Sequence, residues 1–182
     1  AGSVHGGAPP PGTAPAKPAG SLVIPAYAYD RGNPRTYRHG ETYADAEPMV
    51  TWGGQYPVVV EFDIEFPVTA EYTLNIYYAA AEARPAELLL DGGPQGACCR
   101  TATGSWNTSG AKWEETGKLA ISKGRHTVKL QRNAPFPHLV RLRFDSPVPF
   151  PQGWQLSRPS ARKLTEVLAG GPAEPSVAAV RL

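Results

Sequence analysis

The chain has 182 residues, with 18 Lys and Arg against 16 Asp and Glu, a formal net charge of +2, 20 Pro and 19 Gly. This length predicts one domain with terminal extensions, since domains commonly take roughly 100 to 200 residues. The basic residues are scattered among acidic ones, which argues against nucleic-acid binding, because phosphate contacts need a concentrated basic footprint. No apolar run approaches the roughly 20 residues of a membrane-spanning helix, so no membrane-spanning segment is predicted.

Residues 1–20 and 147–182 are rich in Pro, Gly and Ala and are predicted to be extensions of the domain. The first cannot bury enough apolar surface to offset its chain entropy, which predicts a flexible or polyproline II segment. The second is interpreted as a tail or linker with one short helix at 160–168. A chain that begins at Ala1 fits either a mature secreted protein without its signal peptide or a segment of a longer protein. We expect a secreted, periplasmic or cell-surface location.

Residues 21–146 are predicted to form a β-sandwich. A short strand at 22–24 precedes an irregular loop at 27–48 that is rich in Tyr, Arg and Gly. In 58–66 every second residue is apolar, which is typical of a half-buried antiparallel strand. Residues 72–78 repeat the pattern after a turn, so these two strands are predicted to pair as a meander or hairpin.

The sequence of the second half of the domain predicts one long connection followed by the closing strands. Residues 94–117 contain few aliphatic residues but include two Trp and both cysteines. A long polar and aromatic connection on a β scaffold is where binding residues tend to lie. The strands at 126–131 and 139–144 alternate again. Three side chains of the closing strand are predicted to point inward: Val140, Leu142 and Phe144.

The only two cysteines, Cys98 and Cys99, are adjacent. Neighbouring Cα atoms lie about 3.8 Å apart, closer than the roughly 4.4 to 6.8 Å usual for a disulfide, so a bridge would need a strained eight-membered ring. Two free or semi-buried thiols and a vicinal disulfide that stiffens the loop are both open. A metal site is not predicted at the pair, because His126 and His138 supply no recognisable ligand spacing.

The order of several segments resembles that of carbohydrate-binding modules of families 6 and 35. These modules share a YTLxIxYA strand, a short LxLDG strand, TGSW, a KGxHTxxL strand and a final strand after a Pro or Asn turn. The corresponding segments are EYTLNIYYAA, LLLDGG, TATGSWNTSGAKW, SKGRHTVKLQR and FPHLVRLRF, within residues 22–144. AYAYDRGN, YYAAAEARP and PFPHL are similar to module variants attached to large secreted bacterial proteins.

The resemblance implies an all-β antiparallel jelly-roll sandwich that binds glycans through aromatic side chains, at the loop rim or on a concave face. The first candidates for sugar contact that it implies are Trp52, Trp106, Trp113 and Asn107. The chemistry agrees, because the apolar face of a pyranose packs on an aromatic ring and its hydroxyls need fixed donors and acceptors. The same tryptophans could equally be buried, as large aromatic residues in sandwiches often are.

Relatives of this type often carry a structural calcium ion. Many have a Glu in the first strand that helps to hold calcium, where this chain has Tyr27, and an Asp in the last strand, where it has Val140. Calcium takes about six to eight oxygen ligands, and both changes remove one. No cofactor is therefore predicted, with a structural calcium ion as the alternative.

Arg84 is a further candidate ligand contact, because its guanidinium could bind an acidic sugar or pair with Glu82 or Glu87. Catalysis is not predicted. The sequence contains no GxSxG elbow, no HExxH motif and no phosphate-binding glycine loop.

Two functions are compatible with these features. The first is a non-catalytic, extracellular carbohydrate-binding-module-like domain that holds a glycan by aromatic stacking and a few polar contacts. The alternative is a structural or assembly subunit of a larger secreted or cell-surface complex, which the N- and C-terminal extensions contact. Exposure of the three tryptophans on one face would favour the first function, and their burial would favour the second.

Overall fold

In the computed structural model, which describes residues 17–156, the chain folds into two antiparallel β-sheets packed face to face. The predicted all-β sandwich is therefore confirmed. The predictions for residues 1–16 and 157–182, including the helix at 160–168, lie outside the described residues. No helix within residues 17–156 is long and apolar enough to cross a membrane. The strands are β1 Gly20–Pro25, β2 Arg31–Gly32, β3 Arg35–Tyr37, β4 Met49–Thr51, β5 Val58–Phe66, β6 Ala70–Ala79, β7 Ala86–Leu90, β8 Gly93–Cys98, β9 Lys112–Ile121, β10 Gly124–Arg132 and β11 His138–Ser146.

Successive strands change sheet except at β3–β4 and at β7–β8. The β6 sheet has the order β3-β4-β11-β6-β9, with β1 also paired to β11, and the β5 sheet has the order β2-β5-β10-β7-β8. The predicted hairpin of the strands at 58–66 and 72–78 is wrong, because β5 and β6 lie in different sheets. Strict alternation shows that each strand has one buried face, but it does not say whether the next strand pairs beside it or packs across the core.

The core lies between the two sheets. All five apolar residues that alternate along β5 are fully buried, as predicted. The ring of Phe66 at the end of β5 meets Tyr72 and Phe144 of the opposite sheet edge-on, with centroids 5.0 and 5.3 Å apart. These aromatic contacts join the two sheets near the end where β5 and β11 finish.

A β-bulge changes the predicted face of one residue. Leu139 pairs with Tyr78 but Arg141 pairs with Tyr77, so β11 carries one extra residue at this point. Val140 therefore does not point into the sandwich. It is buried with Ala44 and Met49 in a separate small cluster. Leu142 and Phe144 point inward as predicted.

The two predicted loops are shorter than expected. Residues 94–117 are predicted to be one connection, but their first part belongs to β8 and their last part to β9. Only residues 99–111 connect the two strands. The strand β8 lies at a sheet edge and exposes small and polar residues, so its sequence has no alternation to reveal it. The loop at 27–48 likewise contains β2 and β3, together with a 3-10 helix at Ala26–Ala28.

Residues 147–156, the described part of the predicted C-terminal extension, pack against the sandwich. Phe150, Trp154 and Leu156 are half-buried against the main core. The ring of Phe150 lies so close to Gly20 that an added Cβ there would approach it to 2.6 Å. This contact explains why glycine stands at the start of β1.

Both cysteines are free thiols and fully buried. The thiol of Cys98 donates to the carbonyl of Ala86 at 3.5 Å. Burial raises the pKa of the Cys99 thiol well above its ordinary value, and the neighbouring Cys98 raises it further. Burial therefore protects both sulfur atoms from electrophilic thiol reagents.

Replacing Phe66 by Ala should destabilise the domain by about 3 to 5 kcal/mol, because it removes a fully buried ring that bridges the sheets. Urea unfolding measures the change. The matched control is Glu65→Ala on the exposed side of the same strand, for which a change within about 0.5 kcal/mol is expected.

The native protein should not react with Ellman's reagent, and both thiols should react after unfolding in denaturant without reductant. The reason is that both sulfur atoms are inaccessible in the folded chain. A vicinal disulfide would instead leave no reactive thiol in the denatured protein, and fast labelling of the native protein would show that the pair is exposed.

Candidate functional site

One end of the sandwich, here called the loop rim, is formed by the connections 52–57, 80–85, 99–111 and 133–137. They meet because each even-numbered strand from β4 to β10 ends at the same end of the sandwich, and the next strand in the chain begins there. In an antiparallel sandwich such connections collect at the two ends, where the backbone is free of ladder pairing and can present side chains to a ligand.

The carbonyl group of Phe136 joins three of these connections. Its ring is fully buried, and its oxygen accepts hydrogen bonds from Thr51 Oγ1 at 3.2 Å and from Arg84 Nη1 at 3.1 Å. Thr51 directly precedes Trp52. The two bonds therefore tie the connection that carries Trp52 and the one that carries Arg84 to a single carbonyl oxygen.

Arg84 also covers Trp106. Its guanidinium carbon lies 3.8 Å from the centroid of the Trp106 ring, and Glu82 accepts from its Nη2 at 3.1 Å. The ion pair with Glu82 was one of the two predicted alternatives for Arg84. Trp106 is half-buried as a result, and a ligand can use only the part of the ring that the guanidinium leaves free. Asn107, the next residue, is exposed.

His138 also contacts Trp106. Its Nδ1 lies 2.6 Å from the carbonyl oxygen of Trp106, and its ring lies 5.3 Å from the Trp106 ring and 5.1 Å from the Tyr43 ring. Burial lowers the pKa of His138. The hydrogen bond to Trp106 raises it and the charge of Arg84 lowers it, so the net pKa lies below the ordinary value. The neutral ring thus donates through Nδ1 and holds the backbone at Trp106.

The connection at 99–111 is tied to Asp45. The carboxylate accepts from the backbone amide of Ser109 at 2.9 Å, from its hydroxyl at 2.5 Å and from Thr108 Oγ1 at 3.2 Å. The bonds from Ser109, aided by Thr108, lower the pKa of Asp45 to about 2. Thr108 also donates its amide to the carbonyl of Tyr43 at 2.8 Å. These bonds fix the backbone next to Asn107.

Trp52 and Tyr56 form an exposed aromatic pair at the rim. Their rings are stacked with centroids 5.5 Å apart and planes 16° apart, and 44% and 45% of the two residues is exposed. Tyr56 was not among the sequence-derived candidates. Its position beside Trp52 in the short segment WGGQYP is the signal that would have indicated it.

Trp113 lies in a strand and not in a loop-rim connection, although β9 begins only one residue before it. It is on β9, on the outer face of the β6 sheet, where its ring is 5.0 Å from that of Tyr77 and 4.6 Å from the guanidinium of Arg143. It is 38% exposed. The structure therefore brings Trp106, Arg84 and Asn107 together, connects Trp52 to them, and leaves Trp113 on a different surface.

The residues at the family's calcium positions do not fit a calcium ion. Tyr27 is buried in the main core, and Val140 is buried with Ala44 and Met49. A buried phenol and an aliphatic side chain offer no carboxylate to a cation that prefers charged oxygen ligands. Within residues 17–156 no three His, Cys, Asp or Glu side chains cluster in a way that could hold a metal ion.

A Ser, His and Asp arrangement lies at the end opposite the rim. His126 Nδ1 is 2.6 Å from Asp91 Oδ2, and its Nε2 is 3.1 Å from Ser122 Oγ. The same Nε2 lies 2.9 Å from the Ser122 carbonyl oxygen, an acceptor that requires a proton on this nitrogen. A general base needs a lone pair there, so the geometry supports a clamp between two turns instead of nucleophile activation.

Comparisons with known proteins agree with this architecture. No protein-family model and no curated protein sequence matches the chain. A family 35 carbohydrate-binding module from Clostridium thermocellum has a TM-score of 0.57 at 19% identity, over 70% of this chain and 99% of the module. The C-terminal family 6 module of LamC, a laminarinase from Zobellia galactanivorans, has a TM-score of 0.55 at 16% identity, over 70% and 100%.

A larger protein also contains this fold. The GH26-CBM35 β-(1,4)-mannanase from Podospora anserina has a TM-score of 0.54 at 16% identity, and the match covers 74% of this chain and 29% of the enzyme. The chain thus spans under a third of that enzyme. Together these likenesses show that the chain has the jelly-roll fold of family 6 and family 35 carbohydrate-binding modules, as the sequence resemblance implied.

Replacing Asp45 by Asn should destabilise the fold at neutral pH and matter less in acid. The folded pKa of about 2 lies below the unfolded value of about 3.9, so the stability from this carboxylate is complete above about pH 4 and is lost as the pH falls through 2. Thermal unfolding from pH 7 to pH 2 should show the difference between variant and wild type shrinking. A difference that stays constant would show that the charge of Asp45 is not responsible.

Proposed function

We propose that this domain is a non-catalytic carbohydrate-binding module and that its glycan contacts the loop rim. The observation that carries the proposal is the combination at the rim of a tryptophan, a guanidinium and an amide, held by Trp106, Arg84 and Asn107. The part of the ring that Arg84 leaves free offers an apolar surface to a pyranose. The guanidinium donors and the amide of Asn107 match the hydroxyl groups at its edge.

The rigidity of the rim supports the proposal. The side chain of Trp106 is contacted by Arg84, its carbonyl is held by His138, and the backbone around Asn107 is held by Asp45. A preorganised site loses little conformational entropy when a ligand binds, which matters for a sugar, because its polar groups already bind water well. The fold neighbours are themselves carbohydrate-binding modules, which supports the same class of ligand.

The tryptophans support a glycan over the assembly alternative only in part. Trp52 and Trp113 are exposed and Trp106 is half-buried, so none of the three is a core residue, but Trp113 lies on a different face from the other two. The extensions that would attach the domain to a larger complex lie mostly outside the described residues. We also propose an extracellular location, since a module of this kind meets polysaccharides outside the cell.

Trp106→Ala should weaken glycan binding at least about tenfold, equivalent to about 1.4 kcal/mol, because it removes the stacking surface and releases Arg84. Binding is measured on a glycan array and by titration calorimetry. The matched control is Trp113→Ala, which removes another exposed tryptophan on the outer face of the β6 sheet and should leave affinity unchanged.

Each variant is first checked by thermal unfolding, so that a loss of fold is not mistaken for a loss of the site. Trp106→Phe keeps a ring under Arg84 and should retain part of the affinity. Loss of binding in Trp113→Ala with full binding in Trp106→Ala would place the glycan on the sheet face and contradict the proposal. Absence of binding to any arrayed glycan would contradict the function itself.

A further inference from the structure

The outer face of the β6 sheet is an exposed surface with aromatic and arginine side chains at its centre. Four of its strands lie in the order β1-β11-β6-β9, and the alternate residues of these strands point inward to the core. Two large apolar residues on the outer face are exposed, Trp113 by 38% and Val23 by 43%. We call this surface the β6 face and define it by Val23, Tyr77, Trp113, Glu115, Arg141 and Arg143.

The centre of the β6 face is held in position by contacts within the chain. The Trp113 ring lies 5.0 Å from the Tyr77 ring, and the guanidinium of Arg143 lies 4.6 Å from the centroid of the Trp113 ring. The guanidinium of Arg141 lies 4.9 Å from the centroid of the Tyr77 ring and donates to Glu47 at 2.7 Å. Trp, Tyr and Arg are the residues that most often dominate the energy of protein–protein contacts, and preorganised side chains lose less entropy on binding.

Strand pairing places opposite charges on the two sides of β6. In one row across the sheet, Arg143 of β11 lies beside Asn75 of β6, and Asn75 lies beside Glu115 of β9. Glu115 is exposed, and its carboxylate has no partner within residues 17–156. Arg143 donates from Nε to Asp145 at 3.0 Å, which leaves its Nη atoms without an acceptor in the described part of the chain. The row therefore presents an unpaired carboxylate and a partly paired guanidinium about 10 Å apart, two strand spacings.

A second copy of the domain matches this pattern. When two β6 faces meet around a two-fold axis that runs parallel to β6, the β11 side of one copy lies over the β9 side of the other. Arg143 then faces Glu115 of the partner subunit, and the symmetry repeats this contact. In the next row toward the loop rim, Arg141 faces Trp113 of the partner subunit. An axis across the strands at Asn75 would instead place Arg143 on Arg143, where like charges repel.

The size of the β6 face predicts a weak dimer. Four strands about 4.8 Å apart, each about eight residues long, give roughly 500 Å² per copy. That is below the roughly 800 Å² per partner of a standard stable interface, and the two copies together reach the roughly 1,000 Å² expected of a specific but weak one. Association should therefore depend on protein concentration in the micromolar range.

We propose that the domain forms a two-fold symmetric dimer through its β6 faces. Because the axis runs along the strands, both loop rims lie at the same end of the dimer. Two rims at one end raise the effective concentration of the second contact on a surface with repeated glycans. This consequence rests on the proposed function, whereas the dimer itself does not.

Sedimentation velocity of the full chain at about 1 to 300 µM tests the dimer. The wild type should shift from monomer toward dimer as the concentration rises. NaCl at about 1 M should weaken association at least about threefold, because it shortens the Debye length to about 3 Å. Trp113→Ala should weaken association at least about tenfold, because it removes the ring that the partner's guanidinium faces at two symmetric points.

Charge exchange tests the two-fold arrangement. Arg143→Glu and Glu115→Arg should each be monomeric alone, because each variant places like charges opposite each other at two points. An equimolar mixture of the two variants should form a heterodimer, since both contacts then join a glutamate to an arginine. The double variant Arg143→Glu/Glu115→Arg should self-associate as the wild type does. The matched control is Glu65→Arg, the same charge change on the exposed side of β5, which should leave association unchanged.

Thermal unfolding first establishes that each variant is folded. If Arg143→Glu lowers the unfolding temperature, Glu115→Arg carries the test, because it replaces an exposed side chain without a partner in residues 17–156. A wild type that stays monomeric at the highest concentration overturns the dimer. A dimer that Trp113→Ala and Glu115→Arg do not weaken overturns the β6 face as its interface, and a monomeric double variant overturns the axis along the strands. Glycan binding by a strictly monomeric wild type would support the proposed function while this inference fails.

Discussion

The burial of one face of most strands between the two sheets is the constraint on which the rest of this structure depends. Because side chains alternate along a strand, the inward positions must be apolar on both sheets, and edge-to-face contacts such as Phe66 with Phe144 fill the space between them. Strands that cross from one sheet to the other then leave their connections at the two ends of the sandwich. The loop rim is a consequence of that arrangement.

The rim itself is organised by a small number of polar contacts. The Phe136 carbonyl ties Thr51 to Arg84, and His138 holds the backbone at Trp106. Neither contact belongs to a strand ladder. Since irregular backbone has no regular partners, each such bond determines the position of a whole connection, and the aromatic side chains are presented where these bonds place them.

Sequence patterns predicted the inward faces of β5 and most of β11 correctly, because alternation reports burial directly. They failed where the geometry departs from a simple strand. The bulge near Leu139 turned Val140 away from the core, and the exposed edge strand β8 had no alternation to detect. Among the candidate site residues, the sequence could name Trp52, Trp106 and Trp113 as aromatic platforms, but it could not say which of them share a surface.

The sequence by itself determined the fold class, through the alternation of apolar residues and the order of its segments, and it singled out the residue types suited to sugar contact. Only the tertiary structure decided that Arg84 lies on Trp106, that Tyr56 stacks on Trp52, and that Trp113 stands on another face. The physical reason is that alternation is a local property of the chain. Contacts between connections depend instead on which strands pair and on single hydrogen bonds between residues far apart in sequence.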